Sequence, residues 1–302
     1  MITILVFHTE VHYKAMDITP YYIYTTNAIV LFYCISGYLF YKETPFDFIH
    51  KFKSIIKNLV IPYFLFTTVL AIPKALIHDK FTNIYNAFTP ILFGNTSWFI
   101  CALIVAELVF SILLTFSKRN HILLSIASIG CFILYILLPQ SLYNFWQWQD
   151  ALLAIPFLYI GYVYHQYEST ISPYTKPAYA ALLSVALLFI KAYEYHLNLP
   201  LKNIMIENPL LFIVDMLCFL CMVINLIAAI PHQRMIEWTG KQSLIYYFFC
   251  SGIPLLVSMI LNRIDFSYDH LTYRFILTVI IVYLLTSFIV WLIDRYIPLM
   301  KK

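Results

Sequence analysis

Nine long apolar stretches, separated by short polar connections, constrain this chain more than any other feature of its sequence. They run Thr25 to Tyr41, Ile55 to Ile77, Trp98 to Phe116, Ile122 to Pro139, Ala151 to His165, Ala178 to Tyr195, Leu210 to Ile230, Leu244 to Leu261 and Phe275 to Ile297. A bilayer core about 30 Å thick takes roughly 20 residues of helix, and inside it every backbone polar group must be bonded within the segment. Runs of this length therefore predict helices in lipid. A tenth, shorter apolar segment, Met1 to Phe7, ends at His8. The expected fold is an all-α integral membrane protein, a polytopic bundle of about ten transmembrane helices with the first one truncated.

Composition agrees. Of 302 residues, 62% are hydrophobic and 11% charged, whereas a soluble domain carries about 25% charged residues. Ten spans of about 20 residues would leave about 100 positions for loops and tails, which excludes a sizeable soluble catalytic extension. Without internal repeats or low-complexity linkers, residues 1–302 read as a single transmembrane domain. The net charge is +4 with no long basic run, so a nucleic-acid partner has no electrostatic footprint. The chain opens Met1-Ile2-Thr3, with no basic n-region and no small-residue cleavage site, so no cleavable signal peptide is read.

Lys and Arg between the spans set the expected orientation. Placing Lys42, Lys51, Lys53 and Lys57 in the cytoplasm sends Lys118, Arg119, Lys176, Arg234, Lys241, Arg295, Lys301 and Lys302 to the same side. Lys14, Lys74, Lys80, Lys191, Lys202, Arg263 and Arg274 fall opposite, which puts both termini inside. Pro20-Tyr21-Tyr22 and Tyr143-Asn144-Phe145-Trp146 read as interfacial aromatic belts.

A titratable side chain at membrane depth is costly and becomes a functional-site hypothesis by default. His8, Glu107, Asp215 and Lys57 lie in or against the spans. His8 reads either as a hydrogen-bonded core histidine or as a group that takes a proton from a hydroxyl and returns it. His8 and His12 share a helix face, but without a nearby fixed carboxylate no metal is assigned. Glu107 could orient a histidine, bind sugar hydroxyls, or simply bond a neighbouring helix. Lys53 and Lys57, four apart, read as positive-inside anchors or as a dock for the phosphates of a nucleotide-like donor. Cys218 and Cys221 form a C-x-x-C at membrane depth and read as packing.

The order of local motifs resembles the acyltransferase-3 superfamily, ten-helix membrane enzymes that move acyl groups, usually acetyl, onto surface polysaccharides, peptidoglycan and small molecules. Ile4-Leu5-Val6-Phe7-His8 is similar to the end of the family's first helix, and Phe32-Tyr33-Cys34-Ile35-Ser36-Gly37 to its aromatic-x-x-Ser-Gly motif. Lys53 to Pro62-Tyr63 looks like its basic stretch leading to Pro-Tyr. Ser97-Trp98-Phe99, Ile155-Pro156 through Gly161-Tyr162, and Gly240-Lys241-Gln242-Ser243-Leu244 match later landmarks in order. Two departures stand out. The family's Arg falls eleven positions before its His, where this sequence has no residue, and a frequent His is replaced by Cys250. A first helix of seven residues before His8 rises only about 10 Å, so the start is expected to lie further upstream, or the chain to be an amino-terminally degraded copy.

The resemblance implies an O-acyltransferase of the bacterial cytoplasmic membrane, carrying acetyl from acetyl-CoA to a hydroxyl of a cell-surface glycan or its lipid-linked precursor. It implies His8 as general base or acyl carrier, Lys53 and Lys57 as acyl-CoA-binding residues, and Ser36, Trp98 and Glu107 in the pocket. No cofactor is bound permanently; acyl-CoA is the donor substrate. The competing readings are a transporter or flippase for a lipid-linked saccharide, for which broken helices in two repeated halves would be expected, and a truncated, inactive relative.

Overall fold

A computed structural model describes residues 1–18, 22–77, 84–139, 141–194, 206 and 208–297. Helices make up 82% of the structure, and no strand occurs among the described residues. Lys80, Lys202, Lys301 and Lys302, used in assigning orientation, and Pro20 and Tyr21 of the first aromatic belt lie outside the described residues.

Fourteen α-helices occur among the described residues: α1 (Ile2–Tyr13), α2 (Tyr22–Phe40), α3 (Phe48–Ile55), α4 (Ile61–Ile77), α5 (Ile84–Leu92), α6 (Trp98–Ser117), α7 (His121–Leu137), α8 (Trp148–Ile171), α9 (Pro177–Glu194), α10 (Pro209–Ala229), α11 (Arg234–Lys241), α12 (Ser243–Phe249), α13 (Gly252–Arg263) and α14 (Thr272–Tyr296). A π-turn, Ile56–Val60, joins α3 to α4. Each long apolar stretch is helical over most of its described residues. Side-chain caps fix several starts: Asn120 accepts from the N–H groups of Ile122 and Leu123, Asn208 from those of Leu210 and Leu211, and Asp47 from that of His50.

Among the described residues, four helices are long and apolar enough to cross a membrane: Phe48–Ile72, Trp98–Ser117, Pro209–Ala228 and Thr272–Tyr296. The count reaches six if Phe145–Tyr174 with Pro177–Tyr193, and Ser243–Phe249 with Gly252–Arg263, each form one bent span. Tyr24–Phe40 and His121–Leu137 are shorter apolar helices; 17 residues rise about 26 Å, just under the hydrocarbon thickness.

Two expectations are corrected. The stretch Leu244 to Leu261 is not one helix but two, bent by 45° across Cys250 and Ser251. Pro254 lacks the N–H that would bond the Cys250 carbonyl, and instead sits in the first turn of α13, where proline is tolerated. The first helix does not stop at His8 but continues to Tyr13, where Lys14 caps it in the left-handed conformation (φ 59°). Its polar half persists because its polar side chains are bonded: the Tyr24 hydroxyl donates to the buried Glu10 carboxylate, and Thr9 donates to the Leu5 carbonyl at 2.8 Å.

The described residues form two compact units. In the unit Met1–Ala28, Lys176–Leu201 and Leu217–Lys302, α1 packs on α13 and α14, and α12 on both of these. Tyr13, Ala15, Tyr268 and Phe275 form its core beside the α13–α14 connection, which the Tyr13 hydroxyl fastens by donating to the Phe266 carbonyl at 2.7 Å. Polar residues on α14 serve their own helix: Thr278 and Thr286 donate to the carbonyls of Arg274 and Val282.

In the unit Ile29–Thr175 and Lys202–Met216, α8 packs on both α6 and α7, and α3 lies against α6. Helix α2 approaches α8 through glycine on each side. A Cβ on Gly37 would lie 1.9 Å from the Leu158 carbonyl oxygen, and one on Gly161 would lie 1.8 Å from that of Cys34. Small residues permit such backbone contact, which is how helices associate where lipid removes the hydrophobic drive. Gly37 and Gly161 belong to two of the motifs quoted above, and the structure shows those motifs meeting.

Candidate functional site

Glu107 lies in the middle of α6, between Ala106 and Leu108, and is 7% exposed. Both carboxylate oxygens are occupied. Oε2 is 3.0 Å from Lys51 Nζ, and Oε1 accepts the Ser36 hydroxyl at 2.5 Å. Lys51 Nζ also stands 3.5 Å above the centroid of the Phe40 ring. The cation is thus held by a carboxylate on one side and a π-face on the other. Phe40 packs edge-on against Phe110, one turn beyond Glu107.

This arrangement has a chemical consequence for Ser36. Because its proton is given to Glu107, the hydroxyl presents only lone pairs to anything else, so a group meeting Ser36 must bring its own N–H or O–H. An amide N–H or an alcohol O–H of a ligand meets that requirement.

Sequence reasoning named Ser36 and Glu107 separately, and the structure joins them. It missed Lys51 as their partner. Ile55 is the buried residue of α3, and Lys51, four residues earlier, shares its face, whereas Lys53 and Lys57 stand two positions from Ile55 and point away. That periodicity was available in the sequence. Lys53 and Lys57 are exposed, and neither has an ion-pair partner among the described residues. Lys57 lies in the π-turn, a local widening that often accompanies functional sites. Trp98 starts α6, half-buried and edge-on to Phe99. Nine residues of helix separate it from Glu107 by about 14 Å, so the two do not share a contact.

Trp146, one of the aromatic residues read as an interfacial belt, also ties its connection to the end of α5. Its indole N–H donates to the Leu92 carbonyl at 3.0 Å and its ring lies 5.4 Å from that of Tyr63.

The other unit contains the histidines. On α1, the rings of His8 and His12 lie 6.2 Å apart and within 14° of parallel, with Phe7 4.7 Å from His8. His12 Nε2 is 3.2 Å from the Ser251 hydroxyl, in the break between α12 and α13. Cys250, at the position where the resembled motif often has His, is buried beside it in sequence. The shared face expected for His8 and His12 is therefore present, and the kink at Pro254 brings Ser251 to it. Among the described residues no group of three or more His, Cys, Asp and Glu could hold a metal ion.

Apolar helices of membrane-crossing length, with a bonded carboxylate buried in one of them, define a multi-pass membrane protein with a polar centre in its helical core. Comparison with known proteins places it more closely. The chain belongs to the acyltransferase-3 family, whose profile, described as an acyltransferase domain, matches residues 1–295. No curated protein and no solved structure matches the chain.

Proposed function

We propose that the protein is an O-acyltransferase of a bacterial cytoplasmic membrane, with both termini in the cytoplasm, that carries acetyl from acetyl-CoA to a hydroxyl of a cell-surface glycan or its lipid-linked precursor. The observation that carries this reading is family membership combined with the buried Lys51–Glu107–Ser36 centre, a polar group set that a lipid-facing helix would not otherwise tolerate. Lys53 and Lys57, exposed and unpaired with carboxylates, are available to the donor's phosphates. Trp98, half-buried at the start of α6, offers a ring on which a sugar or an adenine can stack.

In the base-catalysed form of the reaction, His8 accepts the proton of the acceptor hydroxyl as that oxygen attacks the thioester carbonyl. The carbon–sulfur bond then breaks, and the imidazolium returns its proton to the departing thiolate. In the covalent form, the His8 ring nitrogen attacks the thioester carbon, the carbon–sulfur bond breaks, and the ring proton leaves with the thiolate as CoA thiol; the acceptor hydroxyl then attacks the acyl-imidazole, the carbon–nitrogen bond breaks, and the hydroxyl proton goes to the freed imidazole. The test is incorporation of radiolabelled acetyl from acetyl-CoA into envelope glycans by wild-type protein and His8→Ala. Labelling by the wild type alone supports the assignment. Equal labelling by both refutes the role of His8, and labelling by neither refutes the transferase reading.

A further inference from the structure

Arg119 stands in the connection between α6 and α7 and is a cation without a carboxylate partner among the described residues. One of its terminal nitrogens donates to the Thr44 carbonyl at 2.6 Å. Its Nε is enclosed by protein and bonded to nothing in it. A buried donor on a charged group with no acceptor costs on the order of 1–3 kcal/mol or more, and the half-exposed side chain recovers that cost when it turns Nε to an anion that can accept from it. The guanidinium offers a planar fork of donors, the geometry that matches a phosphate.

The setting is aromatic. Three residues before Thr44, the Tyr41 ring lies 5.4 Å from that of Tyr162, edge-on, and 5.2 Å from His165. His121, two residues after Arg119, has its ring 6.5 Å from Tyr162. Tyr162 in turn lies 6.0 Å from Phe110, the neighbour of Phe40 under Lys51. A run of packed rings thus leads from Tyr41 and His121 through Tyr162, Phe110 and Phe40 to the Glu107 centre within one unit. The ten residues of α6 beyond Glu107 rise about 15 Å, and only the Lys118 cap then stands before Arg119.

We infer that Arg119 is the phosphate anchor of this protein, gripping a nucleotide phosphate of the acyl donor while the half-buried Tyr41 and His121 rings flank its base, so that the acyl arm runs toward Ser36. The inference rests on the donor proposed above and deepens it. It assigns the main phosphate contact to a fixed arginine rather than to Lys53 and Lys57. A phosphate could also come from a phospholipid headgroup, and the experiment separates the two.

Full-length protein in phosphate-free maltoside micelles is titrated with fluorescent etheno-CoA and with ADP, for wild type, Arg119→Gln, Arg119→Lys and the double variant Lys53→Gln/Lys57→Gln, with thermal unfolding of each recorded. The expected result is a loss of CoA and ADP affinity of about 10- to 100-fold in Arg119→Gln. Arg119→Lys should recover part of it, since charge survives but the fork does not. Lys53→Gln/Lys57→Gln should lose less. Phosphate-free acetyl-pantetheine should compete equally well in wild type and Arg119→Gln, and phosphatidylglycerol should fail to displace CoA. Equal CoA affinity of a folded Arg119→Gln overturns the inference, as does displacement by phosphatidylglycerol. If the wild type binds ADP through Arg119 but not CoA, the donor reading fails and the phosphate anchor stands.

Discussion

Replacing Gly161 by alanine adds one methyl group where there is no room for it. The new Cβ would lie 1.8 Å from the Cys34 carbonyl oxygen and 2.8 Å from the Tyr38 nitrogen, both backbone atoms that cannot swing aside. Real Cβ atoms do not approach closer than 3.0 Å, so α2 and α8 must separate locally by about 1.2 Å or more. A gap of 0.5–1 Å already forfeits roughly a quarter to a half of each dispersion contact across it. Lipid offers no compensating hydrophobic force to press the helices together. Overpacking of this kind costs typically about 1–3 kcal/mol, and the backbone-on-backbone contact places Gly161→Ala at the upper end, about 3 kcal/mol. Gly37→Ala, 1.9 Å from the Leu158 oxygen, should cost a similar amount. The double variant should cost much less than the sum, because helices already held apart by one methyl have room for the second. Gly130, with nothing within 4 Å of its added Cβ, supplies the control: Gly130→Ala should be neutral or stabilising by up to about 1 kcal/mol. Thermal unfolding in detergent, followed by circular dichroism, reads all four. A Gly161→Ala midpoint equal to wild type, or strictly additive losses in the double variant, would refute the close-approach argument.

Lys51→Met should destabilise by about 3 kcal/mol, the lower end for a broken buried pair because the Lys51 side chain is 21% exposed, and adding Glu107→Gln should restore most of it; unfolding of the three variants decides. Asp17 accepts from His270 at 2.8 Å and from Tyr268 at 3.2 Å, and the His270 bond foremost holds its pKa below the ordinary carboxylate value. A lowered folded pKa means this contribution is complete above about pH 4 and is lost as pH falls through the folded value. The unfolding midpoint of Asp17→Asn should therefore fall less between pH 5 and about 2 than that of wild type. Steady-state kinetics should show Lys53→Gln/Lys57→Gln raising the KM for acetyl-CoA while leaving the acceptor KM unchanged. In the same assay Ser36→Ala, which removes the acceptor lone pairs facing a ligand, should lower turnover while Glu107 keeps Lys51.

How far the sequence could be read depended on the range of the interaction. Helices α4, α6 and α14 were legible because lipid demands local hydrogen bonding and an apolar run of given length, both properties of contiguous residues. The apolar segment at the start ends at His8, while α1 runs on to Tyr13, because its polar second half is bonded rather than exposed to hydrocarbon. Glu10 is accommodated by Tyr24, fourteen residues away. The division of Leu244 to Leu261 was foreshadowed by Pro254, which removes one bond from the ladder, but the size of the bend, 45°, was not legible. Ser36 and Glu107 stood out as polar residues in apolar helices. That they touch, 71 positions apart, was not legible.

The sequence by itself determined that this chain is helical, that most of it belongs in lipid, and which few polar side chains stand out there, because burial of backbone and charge in hydrocarbon is costly enough to be written into every stretch of residues. The tertiary structure decided which of them act together. It chose Lys51 over Lys53 and Lys57 as the partner of Glu107, turned the Ser36 hydroxyl into an acceptor, and left Arg119 with a donor to spare. Those outcomes depend on how α3 lies against α6 and how closely two glycines let α2 approach α8, distances of an ångström or two that no local pattern encodes.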